Sequence, residues 1–188
     1  QFKNKKITII VPSLSSGGAE IIGSHLANSF AKEGASIDFI ILKELNQLNV
    51  PEHSNINVIR FNCKKTIYAI PRLFFYFLKS KNDSIISVIR DVNIVVAISS
   101  IMQTNNLIFR EANTLNALTK MNSIKKTLYT YLMKLSYRKA KNIIANSIDT
   151  KNDLIRNKIT KEKKVTVIDN PVLPNNVESL LSKNIYHK

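Results

Sequence analysis

The chain has 188 residues, 44% of them hydrophobic, which is enough for one domain with a true core and a short trailing segment. Its single cysteine, Cys63, excludes an internal disulfide and makes a reducing, cytosolic setting the default expectation. A formal charge of +15 points to nucleic acid, an anionic membrane or a phosphorylated substrate, although the joint abundance of Lys, Asn and Ile is also what an A/T-rich genome would write. The longest unbroken apolar run, residues 73–78, is far short of the roughly 18 to 20 residues that span a bilayer. The Lys-rich start imitates a signal peptide, but the apolar run behind it is too short and Pro12 stops it. The first residue is Gln1, which reads as a start inside a longer gene or as a tag remnant.

Along the chain, short apolar runs alternate with helical periods. Residues 7–11 read as a strand, and residues 18–32 as a helix with Ala19, Ile22, Leu26, Ala27 and Phe30 near 3.6-residue spacing. Gly34 is a helix stop. Residues 36–42 read as a second strand, 46–55 as a loop with Pro51, and 56–61 as a third strand. Residues 68–80 read as an aromatic-rich helix, with further helical turns reaching Arg90. The wholly apolar residues 94–98 are expected to be a fourth strand and 106–109 a fifth. A long basic helix at 122–139, a strand at 142–145, a helix at 149–157 and a last strand at 164–168 complete the pattern. Such alternation implies an α/β fold, a doubly wound, Rossmann-like parallel sheet in three layers. Ligands of these sheets bind beyond the carboxyl ends of the strands. The loops at residues 13–18, 99–102, 110–116 and 146–150 are expected there. Residues 1–172 form the expected domain, and the polar residues 173–188 read as an interdomain linker that has been cut.

The loop Ser15-Ser16-Gly17-Gly18-Ala19-Glu20 follows the first strand directly and opens the first helix. Glycines let the backbone approach a ligand, and the free N–H groups of a first helical turn attract an anion. Neither the dinucleotide fingerprint nor the Walker pattern fits, because Gly17 and Gly18 are adjacent, the next glycine is Gly23, and no Gly-Lys-Ser/Thr follows. The alternatives are a backbone cradle for a phosphate or sugar and a tight turn that happens to contain glycine. Arg110 and Glu111 end a central strand. An arginine there can grip phosphate or carboxylate in two-pronged fashion, and a glutamate can act as a general base on a hydroxyl. The competing reading is an ion pair that holds the loop. Asn146 and Ser147 end the sixth strand, and Ser147 is placed to cap the next helix. The basic helix carries Lys125, Lys126, Lys134 and Arg138, with Leu128, Tyr129, Tyr131 and Leu132 interleaved, and residues 120–141 hold no acid. Basic heads on long stems among amphipathic aromatics suit an anionic lipid surface, and an ordinary surface helix burying Leu128, Leu132 and Leu135 is the alternative. No cluster of side chains has metal-ligand spacing.

A strand ending in Pro12 with Gly17-Gly18-Ala19-Glu20 opening the first helix resembles the group 1 (family 4) glycosyltransferases of the GT-B type. Arg110-Glu111-Ala112-Asn113 is similar to the Glu-Arg-Asn or Arg-x-x-Asn loops of the bacterial polysaccharide branch. Ala145-Asn146-Ser147 with Asp149, Asp153 and Leu154 resembles the family's strand–Ser–helix element, and Asp169-Asn170-Pro171-Val172 its Asn-Pro segment before the second domain. These features keep the family's order over residues 5–172.

The resemblance implies one half of a GT-B glycosyltransferase, the N-terminal, acceptor-binding half, catalytically incomplete without a C-terminal donor-binding domain. It implies a nucleotide-diphosphate sugar, UDP- or GDP-linked, as donor of the full enzyme, and no cofactor or metal held by this half. It implies transfer with retention to a glycan or lipid-linked acceptor at the inner face of a bacterial membrane, in polysaccharide, lipopolysaccharide or glycolipid assembly. Under it, Glu111 and Arg110 are the catalytic candidates, and Ser16, Gly17, Gly18, Asn113, Asn146 and Ser147 the donor- or acceptor-binding ones. Many relatives carry a histidine near residue 110, whereas the histidines here are His25, His53 and His187. The alternatives are a non-enzymatic basic module for membrane or nucleic acid and a nicotinamide enzyme. No nucleic-acid-binding signature supports the former, and the glycine spacing opposes the latter.

Overall fold

The computed structural model describes residues 2–14, 18–43, 50–101, 106–115 and 122–170. Seven strands form one wholly parallel sheet: β1 (Lys6–Val11), β2 (Ser36–Lys43), β3 (Ile56–Cys63), β4 (Ser84–Ser87), β5 (Asn106–Glu111), β6 (Asn142–Ala145) and β7 (Val165–Val167). Their order across the sheet is β3-β2-β1-β4-β5-β6-β7. The chain winds outward from β1 to β3, returns, and winds the other way from β4 to β7. The reversal falls between β1 and β4, which is where a doubly wound sheet opens a crevice at its carboxyl edge.

Among the described residues five α-helices connect the strands: α1 (Gly18–Lys32), α2 (Ile70–Lys79), α3 (Arg90–Ser99), α4 (Ser123–Lys139) and α5 (Ile148–Arg156). Right-handed crossovers put α1 on one face and α2 to α5 on the other. Two separate cores record this. Ile9, Val11, Phe39 and Ile41 meet Ala27 and Ala31 of α1, while Ile10, Ile40 and Phe109 meet Leu73, Phe77, Val92, Val96, Met133, Tyr137 and Leu154 of the other helices. Gly23 lets α1 lie close on β1, since a Cβ there would stand 2.7 Å from Val11 Cγ1. The helix stops at Gly34, whose φ of 90° lies in the left-handed region that glycine adopts without strain.

Two expectations are corrected. Residues 94–98 are not a strand but the middle of α3, and the fourth strand is Ser84–Ser87, where helical turns were expected. The cause is burial on nearly every side: Val92, Asn93, Ile94, Val95, Val96 and Ala97 are all buried, so α3 has no polar face to give a helical period. Residues 99–102 therefore do not follow a strand. Ser99 and Ser100 close α3, with Ser99 Oγ donating to Val95 O at 2.8 Å. The loop beyond the true fourth strand begins at Val88 and Ile89. Met102, the notional linker at 173–188 and residues 46–49 of the expected loop at 46–55 lie outside the described residues.

Beneath α2, one buried polar group is fully provided for. The Asp38 carboxylate of β2 accepts from Tyr76 Oη at 2.6 Å and Asn57 Nδ2 at 2.9 Å and pairs with Lys6 Nζ at 3.1 Å. Burial pushes this carboxyl up, but the hydrogen bonds and the Lys6 charge outweigh it and hold it below the ordinary 3.8. Burial and the Asp38 hydrogen bond push the Tyr76 phenol up to about 12. Because the folded value of Asp38 lies below the unfolded one, its stabilisation is complete above the ordinary carboxylate value and is lost as pH falls through the folded value. Asp38→Asn should lower stability at pH 7 and narrow the gap to wild type below about pH 4, as measured by urea unfolding across pH.

Candidate functional site

At the reversal point the carboxyl ends of β1, β4, β5, β6 and β7 border a cleft of about 400 Å³, lined by Gly18, Ala19, Glu20, Ile89, Arg110, Ala112, Asn113, Asn146 and Asn170. The first turn of α1 opens onto it, and a side chain at Gly18 would meet nothing within 4 Å. The floor is polar and tightly held. Glu20 is buried and accepts from Ser13 Oγ at 2.6 Å. Arg110 is 4% exposed and donates to Val88 O at 3.2 Å and to Asn170 Oδ1 at 2.5 Å. Burial pushes its guanidinium down from the usual arginine value, with the neighbouring Glu111 charge opposing. Asn146 spans two loops, donating to Ala112 O at 2.9 Å and accepting from Thr150 Oγ1 at 2.8 Å. Asn113 stands exposed at the mouth. A larger hollow of about 560 Å³ lies at the amino ends, around Asn4, Ser36 and Asn55, away from these groups.

The residues singled out from the sequence separate into three groups. Gly18, Arg110, Asn113 and Asn146 come together in the cleft. Ser16 and Gly17 lie outside the described residues. Ser147 spends its hydroxyl on the start of α5, accepting from Thr150 N at 3.1 Å, which is the capping role.

Glu111 has a different part from the general base expected of it. It is 0% exposed. Arg90 Nε and Nη2 donate to its two oxygens at 3.1 Å each, and Tyr137 Oη donates to Oε2 at 2.5 Å. The Asn113 backbone N–H adds a bond at 3.3 Å. A carboxylate so engaged has no approach for an acceptor hydroxyl, so the ion-pair reading holds, with Arg90 and not Arg110 as the partner. Burial pushes Arg90 down, but the Glu111 charge and hydrogen bonds outweigh this and hold it above the usual value. Burial and the same carboxylate push the Tyr137 phenol well up. Arg90 also donates to Asn113 O at 2.5 Å, so the ion pair sets the backbone at the cleft mouth. Sequence reasoning gave Arg90 no role and named Asn170 only as part of the Asn-Pro segment. Arg90 stands 21 residues from Glu111, and no local spacing links them.

The basic helix α4 also departs from the expectation of a buried leucine face. Met133, Ser136 and Tyr137 face inward, while Ile124, Leu128, Tyr131 and Leu135 are 81%, 59%, 59% and 42% exposed. Their spacing of 4, 3 and 4 places them in one outward stripe. Lys125 is to one side of it, Lys134 and Arg138 to the other, and Lys126 points about 200° away by helical geometry. Among the described residues no helix is long and apolar enough to cross a membrane, and no three His, Cys, Asp or Glu side chains group as metal ligands.

Removing one partner of the Glu111–Arg90 pair leaves the other charge buried alone. Glu111→Gln and Arg90→Met should each destabilise by about 3–5 kcal/mol in urea unfolding, against about 1 kcal/mol for loss of the Ser147 cap in Ser147→Ala.

No family model matches this chain, and no curated protein does. Solved structures do. HepE from Anabaena, solved in complex with UDP, is 17% identical with a TM-score of 0.63, over 95% of this chain and 49% of that one. Sucrose-phosphate synthase from Thermosynechococcus elongatus is 17% identical with a TM-score of 0.64, over 88% of this chain and 48% of that one. The lipopolysaccharide outer core galactosyltransferase WaaB is 13% identical with a TM-score of 0.59, over 89% of this chain and 46% of that one. This chain thus spans about half the length of each. With its reversed parallel sheet and a cleft at the reversal point, the chain has the fold of one Rossmann-like half of a GT-B glycosyltransferase.

Proposed function

We propose that this chain is the acceptor-side half of a sugar transferase whose donor is a UDP- or GDP-sugar. The observation that supports this best is the meeting of the α1 start at Gly18 with Arg110, Asn113 and Asn146 in one cleft. Backbone N–H groups at a helix start and a buried guanidinium both favour an anion. Asparagine amides suit sugar hydroxyls. This half acts as the acceptor-side domain and works with a second domain that carries most of the donor, in keeping with its covering about half of each structural neighbour, so this half alone has no transfer activity. In this reading Arg110 contacts the diphosphate side of the reaction, and Asn113 and Asn146 border the acceptor. Glu111 acts as a positioning residue through Arg90 and the Asn113 backbone. Transfer with retention to a glycan or lipid-linked acceptor, in bacterial surface polysaccharide or glycolipid assembly, is the setting that matches the sequence resemblance.

The test joins this half to its second domain and assays transfer from UDP- and GDP-sugars to lipid-linked acceptors. Arg110→Ala should lower kcat/KM by roughly 10- to 100-fold, the loss of a charge-assisted contact, at unchanged fold. No turnover by the joined protein on any such pair would overturn the reading.

The membrane partner is a second part of the proposal. The outward stripe of α4 lies on an anionic membrane at the inner face of the cytoplasmic membrane, with Lys125, Lys134 and Arg138 at headgroup level. The nucleic-acid alternative is disfavoured, because these cations flank apolar side chains and form no continuous track for phosphates. In co-sedimentation with anionic vesicles, Leu128→Glu with Tyr131→Glu should weaken binding roughly tenfold or more. Equal binding by this variant would count against the lipid face.

A further inference from the structure

A second hollow, of about 440 Å³, lies between α3, α4 and the short 3-10 turn at Thr66–Ala69. Its composition is unlike that of the cleft. Ile67, Ile94, Val95, Ile98, Tyr129 and Leu132 supply apolar walls. Lys43, at the end of β2, and Lys64 and Lys65, just beyond β3, stand at its rim. Among the described residues Asp91 is the one acidic residue on the lining, and its carboxylate accepts from Tyr129 Oη. The rim therefore has three cations against one carboxylate that is already hydrogen-bonded. The size falls within the range of small-molecule sites, roughly 300–1,000 Å³.

The placement adds to this. Asp91 lines this hollow and Ile89, two residues earlier, lines the cleft, so one turn of chain separates them. On α4, Leu132 lines the hollow while Leu128 and Leu135, its neighbours at i−4 and i+3, belong to the exposed stripe. One apolar surface thus continues from the outer face of α4 into the hollow, and the lysines stand at its polar end.

We infer that this hollow holds a single amphiphile with a phosphate head and a hydrocarbon chain, the head among Lys43, Lys64 and Lys65 and the chain against Ile94, Val95, Ile98 and Leu132. Apolar walls are needed for a chain, and a compact anion is what three neighbouring ammonium groups recognise. The inference rests on the acceptor-side reading and sharpens it, since it makes a lipid phosphate the acceptor class.

The chain has no tryptophan, so Ile67→Trp, at a site 58% exposed, supplies a single fluorescent reporter at the rim. The probes are decyl phosphate below its micelle concentration, decyl glucoside as the neutral amphiphile, and inorganic phosphate. Decyl phosphate should saturate one site per chain with a blue shift and bind at least tenfold more tightly than either comparator. Lys64→Glu with Lys65→Glu should erase that preference without changing decyl glucoside binding. Ile98→Phe, which narrows the slot, should weaken both amphiphiles. Equal affinity for the two amphiphiles, saturation by inorganic phosphate alone at the affinity of decyl phosphate, or a response confined to vesicles would each overturn the inference. Should Ile67→Trp fail to fold, the same titrations followed by isoleucine methyl shifts of the unaltered chain decide it by the same criteria. The binding test uses no donor sugar, so its failure leaves the transfer assay standing. Conversely, tight decyl phosphate binding without turnover in the joined protein would remove the transferase reading alone.

Discussion

The Glu111 carboxylate sits at the end of a central strand with no exposure, and three elements meet on it: Arg90 opens α3, Tyr137 comes from α4, and Glu111 itself ends β5. A buried charge is tolerated when it is paired and its remaining lone pairs are filled, and here both conditions hold. The network extends outward. Asn93 donates to Tyr137 Oη at 2.9 Å and to Arg110 O at 3.1 Å, and it accepts from Ser87 Oγ at 2.5 Å. Thus β4, β5, α3 and α4 are locked to one another directly beneath the cleft. A half-made version of this network would cost more than an apolar core, so it specifies one arrangement of the carboxyl edge.

That rigidity lets the cleft above it be polar without being loose. Arg110 is held at both ends of its guanidinium, by Val88 O of the loop after β4 and by Asn170 beyond β7. Asn170 lies beyond β7, so the segment after the last strand is tied to the side chain most suited to an anion.

The two hollows of the carboxyl side differ in the way their chemistry would require. The cleft is built from a helix start, a guanidinium and amides, groups that recognise phosphate and hydroxyl. The hollow beside α4 is apolar with a lysine rim. The stripe of α4 is exposed because the helix turns a small set of residues, Met133, Ser136 and Tyr137, toward the core and leaves Leu128 and Leu135 outside. In an ordinary amphipathic helix the leucines would be inside.

Much of this architecture was legible in the sequence. The strand at Ile7 to Val11, the glycine at 34, the long helix carrying Tyr129 to Tyr137, and the Ser147 cap each follow from local period or local chemistry, and local chemistry survives into the fold. What tertiary structure decided was whatever depends on neighbours distant in sequence. The run Ile94 to Ile98 has no polar face in either a helix or a strand, so only its burial between the sheet and its neighbouring helices made it α3. Arg110 and Glu111 are adjacent in sequence and both charged candidates, yet one lines the cleft and the other lies sealed below it, because consecutive residues of a strand point to opposite faces of the sheet. The sequence by itself determined a parallel α/β sheet and the set of polar groups at its carboxyl ends. The choice among those groups belonged to the tertiary structure, since exposure and partnership are properties of packed faces and not of any local run of residues.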